Sequence, residues 1–214
     1  MQKIKAVIFD IDGTLANTLP LIIQSFRQAV EPLVHRPLSD DEIEATFGPT
    51  EEGSIKSIAP DDYKKGLADF TRIYKESHEM CPNPFDGITE LLTTLKSKGV
   101  KLAVATGKGK ELTDFTLQYY KLTGFFEIIE TGSPEGSRKV EAINLILDRF
   151  HLEKKEVIYV GDSPGDTKES HEAGIAAVAA AWAETAKPDK QKEQKPDEIF
   201  YTVQDFAKWL DGKI

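Results

Sequence analysis

The stretch IKAVIFDIDGTL, residues 4–15, decides the architecture. Its first part, Ile4 to Phe9, is a short run rich in Ile, Val and Phe, the pattern of a strand covered on both faces. The run stops at two acids. Asp10 and Asp12, at i and i+2 of an extended segment, point to the same side. Gly13 then lets the backbone turn away at once.

Working outward, similar apolar runs recur at Lys101 to Ala105, Glu127 to Ile129, Val157 to Val160 and Ile175 to Ala179. Amphipathic patterns of helical period lie between them, at Ile88 to Lys98, Glu111 to Tyr120, Val140 to Arg149 and Thr167 to Ala173, with Gly99 and Gly174 placed as C-terminal stops. Strand and helix in alternation predict an α/β fold, a Rossmann-like doubly wound parallel sheet with crossover helices on both faces. One interval breaks the rhythm. Between the first run and Lys101 there are too many helical residues for one crossover, which predicts an inserted four-helix unit. Its helices are read at Leu19 to Leu33, after a Ser39-x-x-Glu42 capping box, after Thr50, and from Asp61 to about Glu79. Cys81-Pro82-Asn83-Pro84 returns the chain, since two prolines stop any helix. Hinges are placed at Ala16 to Thr18 and Cys81 to Pro84, giving a core of residues 1–16 and 84–214 and an insert of 17–83. The Lys-rich segment Lys187 to Lys195 is read as a solvated loop.

Composition narrows the function classes. The chain has 214 residues, 40% hydrophobic and 29% charged, with a net charge of -9 and a mean hydropathy of -0.36. These values describe a soluble globular protein with no membrane span. The start of the chain lacks the apolar length and cleavage site of a secretion signal, and a single Cys81 rules out an internal disulfide framework, so a cytoplasmic location is expected. The negative balance argues against nucleic acid as a partner. A small charged molecule is the expected ligand; whether the chain is a monomer or a homodimer is left open.

Open α/β sheets bind ligands beyond the carboxyl ends of their strands. There the sequence places Asp10 and Asp12, then Thr106-Gly107-Lys108, then Gly161-Asp162-Ser163-Pro164-Gly165-Asp166, with Arg138 and Lys139 ahead of a helix. Acids crowded into one crevice raise one another's pKa unless a cation neutralises them. Oxygen donors alone, without a His pair or Cys cluster, favour Mg²⁺ over zinc. Thr106, backbone N–H groups and Lys139 would hold an anion opposite the metal, which predicts a phosphate site. Each piece alone reads as a turn or a helix cap. Their order at successive strand ends is what outweighs that reading.

With those motifs in place, the chain resembles the haloacid dehalogenase-like hydrolases. Asp10-Ile11-Asp12-Gly13-Thr14-Leu15 is similar to the family's DxDGTL motif, Thr106 to its second, Lys139 to its third, and Gly161 to Asp166 to its GDxxxD motif. The insert falls where phosphoglycolate phosphatase-like and β-phosphoglucomutase-like members carry a helical cap. The resemblance implies a phosphatase acting on a small-molecule phosphate monoester through an aspartyl phosphate. It implies Asp10 as nucleophile, Asp12 as general acid and base, and Thr106, Gly107 and Lys139 as substrate binders. Asp10, Asp12 and Asp162 would serve the metal, with Asp166 on the metal side. Asn17 stands where many relatives have an acid, and Val140 where a proline is common. The loop Phe47 to Gly53 resembles the substrate-facing cap loop and would lower Thr50 or Glu51 toward the site; a plain helix N-cap is the competing reading. His35, His78, His151 and His171 receive no role.

Four rivals are weighed, one of them a non-catalytic binding protein on this fold, against which the intact acid pair argues. A phosphomutase would use the same residues. A receiver-like phosphate-binding module needs neither Asp12 nor an insert. A nucleotide-binding reading of Gly107-Lys108-Gly109 fails because Leu112 takes the third glycine position of GxGxxG.

Overall fold

The computed structural model describes residues 3–214. Its centre is a six-stranded, wholly parallel sheet in the order β3-β2-β1-β4-β5-β6. The strands are β1 (Ala6–Phe9), β2 (Lys101–Ala105), β3 (Ile128–Glu130), β4 (Val157–Gly161), β5 (Ala176–Ala180) and β6 (Glu198–Phe200). The first strand lies in the middle, and all four of its residues are buried. Val7 and Phe9 pack on one face with Leu91, Leu92 and Phe206, while Ala6 and Ile8 pack on the other with Ile143, Ile146 and Tyr159. This alternation is the two-residue period of a strand with helices on both sides. Each large side chain so buried contributes roughly 1.5–3 kcal/mol of transfer free energy.

The crossover helices are α5 (Ile88–Ser97), α6 (Lys110–Tyr119), α7 (Lys139–Phe150) and α8 (Pro164–Ala173). Phe9 pairs with Val104 on one side and Val160 on the other. That register brings the residues just past β1, β2 and β4 to one edge of the sheet.

Between β1 and α5 come α1 (Leu19–Val34), α2 (Asp40–Glu44), α3 (Glu51–Ile58) and α4 (Tyr63–Glu76), followed by a 3-10 turn at His78–Met80. These helices form a cap with its own core, including Phe26, Val30, Ile43, Ile55 and Phe70. Phe26 meets Phe70 edge-on at 6.3 Å between ring centres. The Ser39–Glu42 capping box forms as the sequence predicts, each side chain bonding the other's backbone N–H. The single helix expected from Asp61 to Glu79 is shorter, ending at Glu76 before the 3-10 turn.

The Lys187 to Lys195 segment departs from the solvated loop the sequence suggests. It holds a short helix, α9 (Pro188–Glu193), with Gln191 wholly buried. Pro188 starts it, where a missing N–H costs nothing. Only one inward residue, itself polar, leaves no periodic signal to read. After it come β6 and α10 (Val203–Asp211), capped by Thr202, whose hydroxyl accepts from the Asp205 N–H. Among the described residues no helix is long and apolar enough to cross a membrane.

Candidate active site

Asp10 stands one residue past β1, its N–H donating to the Val160 carbonyl at 2.9 Å. One carboxylate oxygen accepts the Ile11 N–H at 2.7 Å, and the other accepts from Lys139 Nζ at 2.6 Å. Lys139 opens α7 and also donates to Asp166 on α8. Asp166 is fixed in turn by Ser163, whose N–H and hydroxyl donate to its second oxygen at 2.9 and 2.7 Å. The sequence reason is local: Ser163 is the N-cap of α8 and Asp166 its third residue, so the capping box aims Asp166. Asp162 approaches from the end of β4, its carboxylate lying against Gly13. A Cβ on Gly13 would sit 2.2 Å from Asp162 Oδ2, and Gly13 has φ +73°.

Carboxylate oxygens of Asp10, Asp162 and Asp166 all lie within 4.8 Å of one another, a grouping able to hold a metal ion. Burial pushes the Asp10 carboxyl above its ordinary range; the Lys139 ammonium opposes this and Asp166 reinforces it. Asp162 is pushed well up by burial and then by Asp166 and Asp10. Asp166 is buried too, yet Lys139 and Ser163 outweigh that and hold it low. Burial disfavours the Lys139 ammonium, but Asp10 and Asp166 overcome the penalty and its pKa stands well above the usual value. One lysine thus stands among three acids and pairs with two of them. The surplus negative charge and the all-oxygen donor set suit a hard divalent cation.

Asp12 faces a different partner. Its carboxylate accepts the Thr18 hydroxyl at 2.5 Å and Lys108 Nζ at 3.1 Å on each oxygen, so the three-acid grouping does not include it. Lys108 is buried, lies 4.4 Å over the Tyr74 ring and 4.0 Å from Glu51. Burial lowers its pKa, but Asp12, Tyr74 and Glu51 together shift it upward. Thr106 lies between the two groups: its hydroxyl accepts the Lys108 N–H at 3.2 Å and also lowers the Asp10 pKa by hydrogen bonding. Gly107 offers its carbonyl so close to Gly132 that a Cβ there would sit 2.0 Å away.

The cap closes over this edge. Thr50 donates its N–H to the Ser133 carbonyl at 2.9 Å, and Glu51 accepts the Gly109 N–H at 2.9 Å. Tyr74 of α4 meets Thr116 of α6 through their hydroxyls at 3.0 Å. Both readings of the cap loop therefore hold: Thr50 is the N-cap of α3, and Glu51 reaches the core. Sequence reasoning finds Asp10, Asp12, Thr106, Lys139, Asp162 and Asp166, and the structure brings all six to this edge. It misses Lys108 as a partner of Asp12. The available signal was its place two residues after Thr106, at a strand end. It also misses His78, which is buried among Tyr74, Phe115, Tyr119 and Tyr120, neither ring nitrogen having a hydrogen-bond partner among the described residues.

Comparison with known proteins agrees with this geometry. Residues 7–180 match the family model described as haloacid dehalogenase-like hydrolase. The chain is 30% identical over 187 residues to pyrophosphatase PpaX of Bacillus pumilus, covering 85% of each chain. It is 28% identical over 207 residues to pyrophosphatase PpaX of Halalkalibacterium halodurans, covering 96% of each. Among solved structures, a chain from Haemophilus somnus described as a predicted phosphoglycolate phosphatase shares the fold with a TM-score of 0.81 at 24% identity, over 98% of this chain and 99% of that one. A haloacid dehalogenase-like hydrolase of Streptococcus pneumoniae aligns with a TM-score of 0.78 at 23% identity, over 96% and 98%.

Proposed function

The chain belongs to the haloacid dehalogenase-like hydrolases, and from that footing we propose that it is a magnesium-dependent phosphohydrolase working through a phosphorylated Asp10. The observation that carries the reading is the meeting of Asp10, Asp162 and Asp166 with one buried lysine, Lys139, at the sheet edge. Asp10 attacks phosphorus in line and the P–O bond to the leaving group breaks, dividing one hard step into two. Asp12 gives the departing oxygen its proton, then takes one from the water that cleaves the aspartyl phosphate. Thr106, the Gly107 backbone and Lys139 hold the phosphoryl oxygens, and Lys139 offsets the charge spread over them.

Asp10 and Asp162 would hold Mg²⁺, with Asp166 on the metal side; bound there, the ion shields the negative charge that otherwise keeps an anionic nucleophile from an anionic substrate. Asp12, whose carboxylate is engaged by Lys108 and Thr18, is reserved for proton transfer. The cap excludes water and holds the leaving group. Since the two relatives named above are pyrophosphatases, pyrophosphate heads the substrates to be tried, beside small phosphate monoesters.

The test is Asp10→Asn. Loss of magnesium-dependent hydrolysis of an aryl phosphate, with an unchanged circular dichroism spectrum, is expected; undiminished turnover overturns the nucleophile assignment. Turnover of a phosphate panel in ¹⁸O-water separates a phosphatase, which releases labelled phosphate, from a mutase, which returns an isomer.

A further inference from the structure

Gln191 is wholly buried in a segment otherwise made of charged and exposed residues. Its side-chain nitrogen donates to the Ala180 carbonyl at 3.1 Å and to the Asp162 carbonyl. Two carbonyls need two donors, so the amide orientation follows from chemistry. Its own oxygen is buried and has no partner among the described residues. An unpaired buried acceptor is rare enough to call for a reason.

The reason lies in where the two carbonyls stand. Gly161 of β4 pairs with Ala179 of β5, the last rung of that ladder. Asp162 follows the last residue of β4 and Ala180 is the last residue of β5, so Gln191 ties the two strand ends just past their shared ladder. Asp162 depends on such a tie more than its neighbours do. Asp10 and Asp166 are each gripped by Lys139, whereas among the described residues no donor reaches the Asp162 carboxylate. Its position is set by Gly13 on one side and by its own main chain.

We propose that Gln191 is a positioning residue for the metal site: by clamping the Asp162 peptide to the end of β5 it holds the Asp162 carboxylate where, with Asp10, it can bind a divalent cation. This rests on the reading that Asp10 and Asp162 take magnesium. The Pro188–Glu193 helix is then a brace, and Gln191 its point of contact.

The experiment is magnesium titration by calorimetry on the full chain without substrate, comparing wild type with Gln191→Met, which keeps volume and loses both donors. The expected result is binding weakened about tenfold, the usual scale for groups that orient metal ligands. Lys187→Ala, which removes the ion pair to Glu44 from the same segment, is the control and should bind magnesium as wild type does. Equal affinity in wild type and Gln191→Met overturns the inference and leaves the phosphohydrolase reading standing. A wild type that binds no magnesium overturns both. If Gln191→Met does not fold, nuclear magnetic resonance of the wild type decides: the Gln191 side-chain amide protons should resist exchange and shift on magnesium addition. Rapidly exchanging, unshifted signals overturn the proposal.

Discussion

The ammonium of Lys108 lies 3.1 Å from both carboxylate oxygens of Asp12, and the lysine is closed off from solvent by the cap residues Tyr74 and Glu51. The residue proposed to move protons is thus oriented by a core lysine, while Lys139 attends to Asp10. Two acids two positions apart are served by two separate cations.

Lys108→Met leaves Asp12 without its partner in a closed site, and removing one member of a buried pair costs about 3–5 kcal/mol. Urea unfolding should show a loss near the lower end, since Asp12 keeps Thr18 and some solvent. Turnover should drop roughly tenfold or more, a share of what a well-placed proton-transfer group contributes. Combined with Asp12→Asn, the stability losses should be less than additive by about 1 kcal/mol. Strict additivity would show that the pair does not interact.

Gly13→Ala carries two penalties. The left-handed backbone costs a non-glycine residue about 1–2 kcal/mol, and the new methyl would displace the Asp162 carboxylate. Gly99 also has a positive φ but open space around it, so Gly99→Ala should cost stability alone. Magnesium titration of the two variants checks the contrast: only Gly13→Ala should weaken binding.

Glu51→Ala removes the carboxylate that accepts the Gly109 N–H across the cap–core boundary. Amide exchange at Gly109 should accelerate about tenfold, the effect of losing one charge-assisted hydrogen bond. Exchange as slow as in wild type would mean that the cap is held shut by other contacts, such as Tyr74 with Thr116.

His78 makes stability depend on pH. Burial first, then the charge of Lys108, lower its pKa from 6.5 to about 4, with Asp12 opposing. Between those values the unfolded chain binds a proton that the folded chain refuses. The stability His78 contributes is therefore complete above pH 6.5 and drains away as pH falls toward 4. Denaturant titrations over that window should show a shallower decline in His78→Phe than in wild type; parallel slopes would sink the idea.

The sheet and the acid-lined edge are legible because each element announces itself locally. Ala6 to Phe9 is apolar and the chain then turns abruptly acidic, and Ser39 with Glu42 marks a helix start on its own. Boundaries drift by a residue, as at β5, where the run read at Ile175 to Ala179 forms a strand from Ala176 to Ala180, because apolar sequence on both sides of the ladder marks neither end. What stays hidden is what only tertiary contact creates. Nothing near Lys108 in sequence says that it will reach Asp12, and Gln191 sits in a run whose charge reads as solvent. His78 is similar, since a polar ring enclosed by aromatic side chains from two helices leaves no trace in its own neighbourhood.

The central place of β1 bears on when the protein becomes active during its synthesis. Asp10 leaves the ribosome early, but the partners of its strand begin at Lys101 and Val157; Lys139 falls between them, and Asp162 and Asp166 come after both. The four cap helices lie in one unbroken stretch of chain, between Leu19 and Glu76, and can assemble in the meantime, whereas pairings between more distant parts of a chain form slowly. A nascent polypeptide therefore carries Asp10, the proposed nucleophile, for most of translation without Lys139, Asp162 and Asp166 all beside it. The three-acid grouping can close only once Asp166 has arrived.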